Sequence, residues 1–579
     1  FALTIIFAVL VSMLVALTLS PVMSGHFLRR TPERGLAHFL DRVYSRLNRS
    51  FDRSLHGFLE FPSVGLVFVI ATLIAVYFMF TSVRHELSPP QNGDIIFTVN
   101  NVQPDASPGY IELYARQVLD VLHTLPEKEH SFMVTGFSPA GAGSNGFFAG
   151  VTLKSKKSHR RTAEQIKPGL QAALNKVAGV QGSAFTPPPL PGSSGLFPID
   201  FVITSDGPFD ELEQVAEQVL ASARQSGKFL FIEKNLKIDQ PQYEIRVDRK
   251  LAANLGISMR DIAVNLQTML SGAYVNRFTS KGYTYQVVPQ VVMSHRATRQ
   301  ALEQIYLRSA SGQMVPLSTL VSFAIKVIPQ ALPQFNRLNS VSLQGVQFPG
   351  VSEGDALTFL KTATGKTSSA VNIDYSGASR QFIEQGDTFM VSVILAIVLI
   401  YLLLAAQFNS FRDSLIILFT VPMAAVGALL LMTPGLASLN IYTQIALITL
   451  VGLITKQGIL VVQFAKDLQY DEGLGIREAV EKAASIRLRP VLMTTLSMVL
   501  GVVPLIIATG SGAPPRNQLG IVIAAGLGIG AFFSLYIVPL MYLYLARDAT
   551  SMRETEARQH RDLEALADGI TGNDNHTDR

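Results

Sequence analysis

A single lysine interrupts an apolar segment that is long enough to cross a membrane. The segment 440–467 reads NIYTQIALITLVGLITKQGILVVQFAKD, and Lys456 is the only charged residue between Asp413 and Lys466. The ten residues from Lys456 to Lys466 correspond to ~15 Å of helix, which places Lys456 near the middle of a ~30 Å hydrocarbon core. A lysine at that depth costs roughly 2.5–3.5 kcal/mol. We therefore expect it to face the interior of a helix bundle and to pair with another group.

The segments near Lys456 supply no carboxylate that could neutralise its ammonium group. The next apolar segment contributes Arg487, Thr494 and Thr495, and no apolar segment contains Asp or Glu. If Lys456 is charged, its partner must come from a part of the protein outside this chain or from another chain. The alternatives are that Lys456 reaches an interface with its flexible side chain or stays neutral through a lowered pKa.

Seven apolar stretches are long enough to cross a bilayer. Hydrophobic residues make up 48% of the 579 positions and charged residues 16%, a composition typical of the membrane class. A helix needs about 20 apolar residues to span the hydrocarbon core. The stretches are about 2–23, 62–83, 388–408, 414–432, 441–465, 490–509 and 518–545. The sequence therefore predicts a membrane α-helical bundle of seven spans.

Basic residues in the short loops predict the orientation, because cytoplasmic loops have an excess of Lys and Arg. The loop 26–61 has seven arginines and the loop 466–489 has five basic residues, whereas the two short loops on the opposite face have one between them. We therefore expect 26–61, 466–489 and a poorly ordered tail, 547–579, in the cytoplasm. The region 84–386 then lies outside.

The loop 26–61 is predicted to contain an amphipathic helix at the membrane interface. Arginines flank an apolar stripe, which consists of Leu40, Val43, Leu47, Phe51, Leu55 and Phe58. A helix that binds a partner protein is the alternative interpretation.

The outer region is predicted to be α+β. Residues 94–137 have a strand–helix–strand pattern, which recurs at 198–238 and ends in the strand FLFIEKNLKID. Two such repeats indicate helices on one face of a sheet, and we expect ferredoxin-like units. A linker at 186–195 is rich in Pro and Gly, and a β-richer insertion spans roughly 273–340.

The order of several long segments resembles the C-terminal half of resistance-nodulation-division (RND) multidrug efflux pumps of the hydrophobe/amphiphile type. These segments include GLITKQGILVVQFAKD, RLRPVLMTTLSMVLGVVPLIIATGSGAPPRNQLG, YLLLAAQFNSFRDSLIILFTVPMAAVGALL and GQMVPLSTL. The resemblance spans about 1–546. It implies a proton antiporter of the bacterial inner membrane that works as a homotrimer with a periplasmic adaptor protein and an outer-membrane channel.

The resemblance also implies roles for individual residues. Lys456 matches the family's relay lysine, and Arg487 and Thr494 match the arginine and threonine that complete the proton relay. The acidic pair of that relay lies on a helix of the family's N-terminal half. We therefore expect this chain to be a fragment, or one half that needs a partner half, and not to couple protons alone.

In the outer region the resemblance places a switch loop within FMVTGFSPAGAGSNGFF, residues 132–148. Its expected members are Gly136, Phe137, Gly141, Gly143 and Gly146, and Phe132 and Phe137 match substrate-pocket phenylalanines. Pro139 and Gly150 stand where typical members have further aromatic residues. A glycine-rich bend is often only a loop, and a strand phenylalanine is often only core.

The resemblance and the composition together predict the following division: a span at 1–25, the cytoplasmic helix at 26–61, a span at 62–83, a first porter subdomain at 84–195, a second porter subdomain at 196–255 and 340–386, a docking-like subdomain at 256–339, and five spans at 387–546. The segment 271–290 matches the start of the family's docking domain.

Other chemistries have little support in the sequence. The segment TGKT at 364–367 lacks the glycine that a phosphate-binding loop needs at position 360. The chain has no cysteine, its ten histidines show no metal-ligand spacing, and its methionines are dispersed. We therefore expect no metal, no cofactor beyond the proton gradient, no nucleic-acid partner and no enzyme activity.

Three functions are compatible with these patterns. The first is proton-driven export of small amphiphilic or hydrophobic compounds by an assembly that includes the missing half. The second is a non-transporting membrane assembly or binding component. The third is a related proton-driven factor for lipid or protein translocation.

Overall fold

The computed structural model describes residues 2–27, 36–89, 91, 93–137, 146–154, 161–188, 190, 195–296, 298–510 and 512–547. Two compact units are present. Unit 1 comprises residues 1–84, 388–508 and 516–579, and unit 2 comprises residues 85–387 and 509–515.

The described residues form eighteen α-helices. They are α1 (Ala2–Leu17), α2 (Leu19–Phe27), α3 (Leu36–Glu60), α4 (Pro62–Ser82), α5 (Pro108–His123), α6 (Ala163–Leu174), α7 (Phe209–Gln225), α8 (Arg249–Asn254), α9 (Met259–Leu266), α10 (Arg299–Glu303), α11 (Leu317–Leu320), α12 (Glu353–Thr367), α13 (Gly377–Phe408), α14 (Phe411–Leu418), α15 (Thr420–Met432), α16 (Ile441–Asp471), α17 (Ile476–Ile506) and α18 (Ala513–Leu545).

The described residues also form fifteen strands. They are β1 (Ile95–Asn101), β2 (Lys128–Thr135), β3 (Gly146–Leu153), β4 (Gln181–Phe185), β5 (Ile199–Ser205), β6 (Phe229–Lys234), β7 (Ile238–Val247), β8 (Asn276–Ser280), β9 (Tyr283–Val287), β10 (Tyr306–Arg308), β11 (Met314–Pro316), β12 (Val321–Pro329), β13 (Gln334–Phe335), β14 (Leu338–Gln347) and β15 (Asn372–Tyr375).

Unit 1 is helical. Seven segments of the described chain are long and apolar enough to cross a membrane: Ile6–His26, Pro62–Ser82, Gly377–Phe408, Phe411–Met432, Ile441–Asp471, Ile476–Ile506 and Ala513–Leu545. Their number matches the sequence prediction. The chain is therefore a membrane protein with a bundle of apolar helices.

Two of these helices begin well before the apolar runs that predicted them. α13 begins at Gly377 and α17 at Ile476, whereas the predicted spans begin at 388 and 490. The backbone hydrogen bonds of a helix do not require apolar side chains, so a helix can extend as polar turns beyond the hydrocarbon core. In α17, Glu478 lies in the first turn, where a negative charge stabilises the positive end of the helix dipole.

The predicted amphipathic helix is α3, but its buried face differs from the predicted stripe. Phe51, Leu55 and Leu59 pack into the unit 1 core. Val43 and Leu47 are 46% and 48% exposed. The predicted stripe therefore includes residues of α3 that the bundle does not cover, and it omits Leu59, which is buried.

The first sheet of unit 2 has the strand order β2-β3-β1-β4 and is antiparallel. Helices α5 and α6 pack on one face of it through an apolar core that includes Ile96, Ile111, Val151 and Ile166. Ser107 caps α5 by accepting from the backbone of Tyr110. The sheet therefore arises from the predicted strand–helix–strand segment and its continuation along the chain.

The second sheet has the order β13-β14-β5-β15, and β6 also pairs with β14. Helices α7 and α12 pack against it in one apolar core. Here the sequence prediction was wrong in one respect. FLFIEKNLKID contributes to two strands, because the extended conformation is interrupted between Lys234 and Ile238. The second strand, β7, then pairs with β12 in a separate ladder.

The predicted β-rich insertion contains β8 to β13 and the start of β14. β8 and β9 form a hairpin whose residues are all exposed, and α8, α9 and α11 contribute to a small core with Ile257, Ile262 and Leu307. The β7–β12 ladder joins residues on both sides of the predicted boundary at 255/256. The finer subdomain limits stay a prediction.

Two buried carboxyl groups lie in unit 2. Asp200 on β5 is 4% exposed, and burial raises its pKa to about 6 although Gln344 donates to it. Glu353, in the first turn of α12, is 4% exposed, and its pKa is raised to about 8, mainly by burial; the Leu87 N–H that donates to it lowers the pKa, and nearby Glu86 contributes a small part of the rise. The folded chain therefore holds these two protons to a higher pH than the unfolded chain does.

We predict that the free energy of unfolding falls as the pH rises from about 4 to about 6, because the unfolded Asp200 ionises near pH 4 while the folded one still holds its proton. Asp200→Asn should remove roughly 2 kcal/mol of this decline, because about two pKa units correspond to about 3 kcal/mol in total and the remainder is lost outside this pH range. Thermal unfolding of the purified chain across this pH range measures it. Asp206→Asn, at an exposed position just beyond β5, is the control and should leave the decline unchanged. An unaltered decline in Asp200→Asn would contradict the assignment.

We also predict that Gly345→Ala destabilises unit 2. A Cβ at Gly345 would lie 2.2 Å from the carbonyl oxygen of Phe231, where β6 pairs with β14, so the strands must separate at a cost of about 1–3 kcal/mol. Gly365→Ala, at a helical position with nothing within 4 Å, should instead stabilise by about 0.5–1 kcal/mol. Equal melting temperatures for the two variants would contradict the observed strand packing.

Candidate functional site

Helix α16 positions Lys456. The helix begins with a capping box in which the Asn440 side chain accepts from the backbone of Tyr442 and Thr443, and the Thr443 side chain accepts from the backbone of Asn440. Gln518 accepts from the Asn440 amide, which ties this end of α16 to α18. These buried contacts define which residues of α16 face the bundle.

Lys456 lies on the open side of α16, and this differs from the sequence expectation. Its side chain is exposed, as are Gly452 one turn before and Gln463 two turns after. Among the described residues no carboxylate lies within 4 Å of its ammonium group. The expected interior position is therefore not provided by the described helices, and this face of α16 is uncovered.

The next residue, Gln457, points into the bundle and connects three helices. It is 2% exposed; its amide donates to the Thr495 hydroxyl at 2.7 Å, and the Ser534 hydroxyl donates to its carbonyl oxygen at 3.4 Å. Neighbouring side chains on a helix point about 100° apart, so the burial of Gln457 directs Lys456 to the open face. Sequence reasoning missed this role, because the partners of Gln457 lie on other helices.

Arg487 and Thr494 lie two turns apart on α17. The Arg487 guanidinium lies over the ring of Phe464 at 4.3 Å from its centroid, and its Nε is buried without a hydrogen-bond partner among the described residues. The Thr494 hydroxyl donates to the carbonyl of Val491 at 3.0 Å. The Gln457–Thr495 hydrogen bond joins the residues that directly follow Lys456 and Thr494 in the chain. Within the described part of the chain, no direct hydrogen bond joins Lys456, Arg487 and Thr494.

The acid nearest in sequence on the preceding span has its own partner. Asp413 is 8% exposed and lies 3.3 Å from Lys466, which also donates to the carbonyl of Phe408. Lys466 is ten residues beyond Lys456 on α16. Asp413 is therefore neutralised at the end of the helices. Within the described chain, no three His, Asp or Glu side chains cluster in a way that could hold a metal ion.

The second candidate site is an aromatic cluster on the first sheet of unit 2. Phe132 and Phe137 are 40% and 50% exposed. Both rings lie against Phe148, at centroid distances of 5.9 and 6.3 Å, and Phe97 lies 6.2 Å from Phe132 and 5.1 Å from Phe148. The cluster therefore presents aromatic surface that could accept an apolar molecule. Sequence reasoning identified Phe132 and Phe137 but not Phe97 or Phe148.

Steric crowding by neighbouring rings explains why residue 150 is a glycine. A Cβ there would lie 2.5 Å from the Phe132 ring and 2.9 Å from the Phe97 ring. These two rings fill the space in which the resemblance places a further aromatic residue.

The predicted switch loop is described at its two ends. Gly136 has a φ of +72°, a conformation that glycine adopts readily, and its backbone N–H donates to the carbonyl of Gly146 at 3.0 Å. Gly146 is buried and pairs with Asn101 on β1. The remaining predicted members, Gly141 and Gly143, lie outside the described residues.

Comparison with known proteins connects these features. A family model for the AcrB/AcrD/AcrF family matches residues 1–546. The chain belongs to the AcrB/AcrD/AcrF family. An uncharacterized transporter of Haemophilus influenzae is 35% identical over 95% of the chain and 54% of its own length. The multidrug export protein AcrF of Escherichia coli and the toluene efflux pump membrane transporter TtgE of Pseudomonas putida are 28% and 27% identical, each over 94% of the chain and 54% of its own length.

Membership of the AcrB/AcrD/AcrF family confirms the resemblance to RND efflux transporters that the sequence showed. It supports a membrane transporter rather than an enzyme. The chain spans about half the length of the curated relatives that it matches.

We predict that Gln457 and Thr495 are energetically coupled. In a double-mutant cycle of Gln457→Leu and Thr495→Val, the coupling should be about 0.6 kcal/mol and at most about 1.7 kcal/mol, the range of interhelical hydrogen bonds in membranes. Unfolding of the purified chain in mixed detergent micelles measures it. Gln469→Leu, at a second fully buried glutamine of α16 that contacts Tyr542, is the matched control and should not couple to Thr495→Val. Additive effects of Gln457→Leu and Thr495→Val would contradict the contact.

Proposed function

We propose that this chain is the C-terminal half of a proton-driven RND efflux transporter that exports small amphiphilic or hydrophobic compounds. The observation that carries the proposal is Lys456: an ammonium group at mid-span depth, on an uncovered helix face, without a carboxylate partner among the described residues. Family membership and the length of the relatives support a second half that covers this face.

Lys456, Arg487 and Thr494 form the proton relay in this proposal. An acidic pair on the missing half, on the same or a separate chain, neutralises Lys456 when ionised. Protonation of that pair removes its charge, so the lysine loses its partner and the helices repack. Gln457 holds Lys456 in the direction from which the acid approaches, because it fixes the rotation of α16 against α17 and α18.

Unit 2 is the periplasmic substrate-handling region in this proposal. Its two sheets are ferredoxin-like porter subdomains, and residues 256–339 form the docking-like subdomain. Phe132 and Phe137, supported by Phe97 and Phe148, contact the apolar part of the substrate, which aromatic rings bind through burial of apolar surface. Gly136, Gly141, Gly143 and Gly146 allow the switch loop to change conformation.

The proposed assembly is a homotrimer in the bacterial inner membrane. It acts with a periplasmic adaptor protein and an outer-membrane channel, and its energy source is the proton gradient. The exposed β8–β9 hairpin lies in the segment that the sequence assigns to docking, and this supports the placement of such a contact in unit 2.

We predict that Lys456→Met abolishes efflux in the complete assembly, because the relay loses the only charge that responds to the acidic pair. Accumulation of an amphiphilic fluorescent dye in cells that express the assembly should rise to the level of cells without the transporter, at unchanged expression and oligomeric state. Lys482→Met is the matched control: Lys482 is on α17, outside the predicted span, and pairs with Glu472.

Wild-type efflux in Lys456→Met would contradict proton coupling through this residue. If efflux is absent in the wild-type assembly as well, while exchange of unit 2 abolishes binding of a partner protein, the chain is an assembly component. Movement of lipid rather than dye would assign it to the translocation class.

A further inference from the structure

Helix α3 has three different surfaces along its length. Phe51, Leu55 and Leu59 face the unit 1 core and are at most 6% exposed. Val43 and Leu47, one turn apart, are exposed apolar residues. Arg46, Arg49 and Arg53, at i, i+3 and i+7, are also exposed and form what we call the arginine stripe. At 100° per residue the arginine stripe lies opposite the buried face, and Val43 and Leu47 lie between the two.

The carboxylates of α3 have partners away from the arginine stripe. Asp41 lies 3.9 Å from Arg489 on α17, Asp52 accepts from the Asn48 amide, and Glu60 lies 3.6 Å from His56. Among the described residues, no carboxylate lies within 4 Å of Arg46, Arg49 or Arg53. Arg49 donates through Nε to the carbonyl of Ser45, which leaves its terminal nitrogens available. Three guanidinium groups therefore stand together without a counter-charge from the described chain.

The neighbouring elements place α3 at a membrane surface. It ends at Glu60, and the apolar helix α4 begins at Pro62. Contacts with α17, through Asn48 with Ser485 and His56 with Glu481, hold it against the bundle. With α4 in the bilayer, we expect Val43 and Leu47 to face lipid acyl chains and the arginine stripe, roughly 100° further round the helix, to face the headgroups.

We propose that the arginine stripe of α3 binds the headgroups of anionic phospholipids. Guanidinium groups bind phosphate oxygens with paired hydrogen bonds, and the anionic cytoplasmic leaflet attracts each basic residue at its surface with an energy that corresponds to roughly a fivefold preference. The exposed apolar residues beside the stripe favour a lipid over a soluble protein or a nucleic acid, since only a lipid offers phosphate and hydrocarbon together. The interaction enriches anionic lipid around this helix and stands apart from transport.

The chain contains no cysteine, so one introduced cysteine is a single reporter once any cysteine in the rest of the assembly has been replaced by alanine. Ser50 is exposed and lies between Arg46 and Arg53 on the helix surface, so Ser50→Cys labelled with a bimane fluorophore reports the local lipid. The purified full assembly is placed in phosphatidylcholine nanodiscs that contain an equal small fraction of headgroup spin-labelled phosphatidylglycerol or spin-labelled phosphatidylcholine. We expect several-fold more efficient quenching by the anionic lipid.

Replacement of the arginine stripe tests the cause. Arg46→Gln, Arg49→Gln and Arg53→Gln together should abolish the excess quenching, whereas the three corresponding Arg→Lys changes should retain most of it, because surface attraction depends mainly on charge. Arg116→Gln, Arg246→Gln and Arg299→Gln remove the same charge from exposed positions of unit 2 that pair with Glu112, Glu244 and Glu303. This control triple should leave the excess unchanged.

Several results would overturn the proposal. Equal quenching by the two lipids, or an excess that survives the glutamine substitutions, shows that the arginine stripe does not select anionic lipid. Quenching by neither lipid shows that protein or solvent covers this face. Loss of the excess on addition of inorganic phosphate, but not of chloride at the same ionic strength, assigns the stripe to free phosphate. Each result leaves the efflux function of Lys456 unaffected, so the two proposals fail separately.

Discussion

An ammonium group in the middle of a membrane requires a counter-charge, and the described helices of this chain do not provide one for Lys456. The nearby acid Asp413 is already paired with Lys466 at 3.3 Å. The polar residues beside Lys456 are committed to other contacts, as shown by Gln457 with Thr495 and Ser534. The helices are thus packed so that the lysine faces outward from the bundle, and its counter-charge must come from whatever covers that face.

The sequence predicted much of the fold because the relevant signals are local. Seven apolar segments, the strand–helix–strand patterns and the amphipathic character of α3 all follow from periodicity within one element. The helix ends did not follow from it. The helices that start at Gly377 and Ile476 begin in polar sequence, where hydropathy gives no indication of a helix. The break after Lys234 also escaped prediction, because the change of partner from β14 to β12 depends on pairing between distant segments.

The sequence identified the key residues of the candidate sites, but it did not predict the side chains that surround them. The chain alone indicated that Lys456 was unusual and the family resemblance added Arg487 and Thr494, but only the structure shows Gln457 directing the lysine outward. In unit 2 the resemblance identified Phe132 and Phe137. Phe97 and Phe148 come from other strands, and the reason for Gly150 is visible only when the Phe97 and Phe132 rings are seen to occupy its space. Contacts between elements, unlike periodicity, have no signature in a single sequence.

The central claim is that an acid from outside residues 1–579 pairs with Lys456, and a zero-length cross-link tests it most directly. A hydrophobic carbodiimide activates a carboxyl group within the membrane, and an adjacent amine then forms an amide bond with it. Mass spectrometry of the treated complete assembly should find Lys456 joined to an Asp or Glu of a segment absent from this chain, with no such product in Lys456→Met. A cross-link from Lys456 to an acid within residues 1–579, or an unmodified Lys456 in an assembly whose other buried carboxyl groups react, would contradict the account.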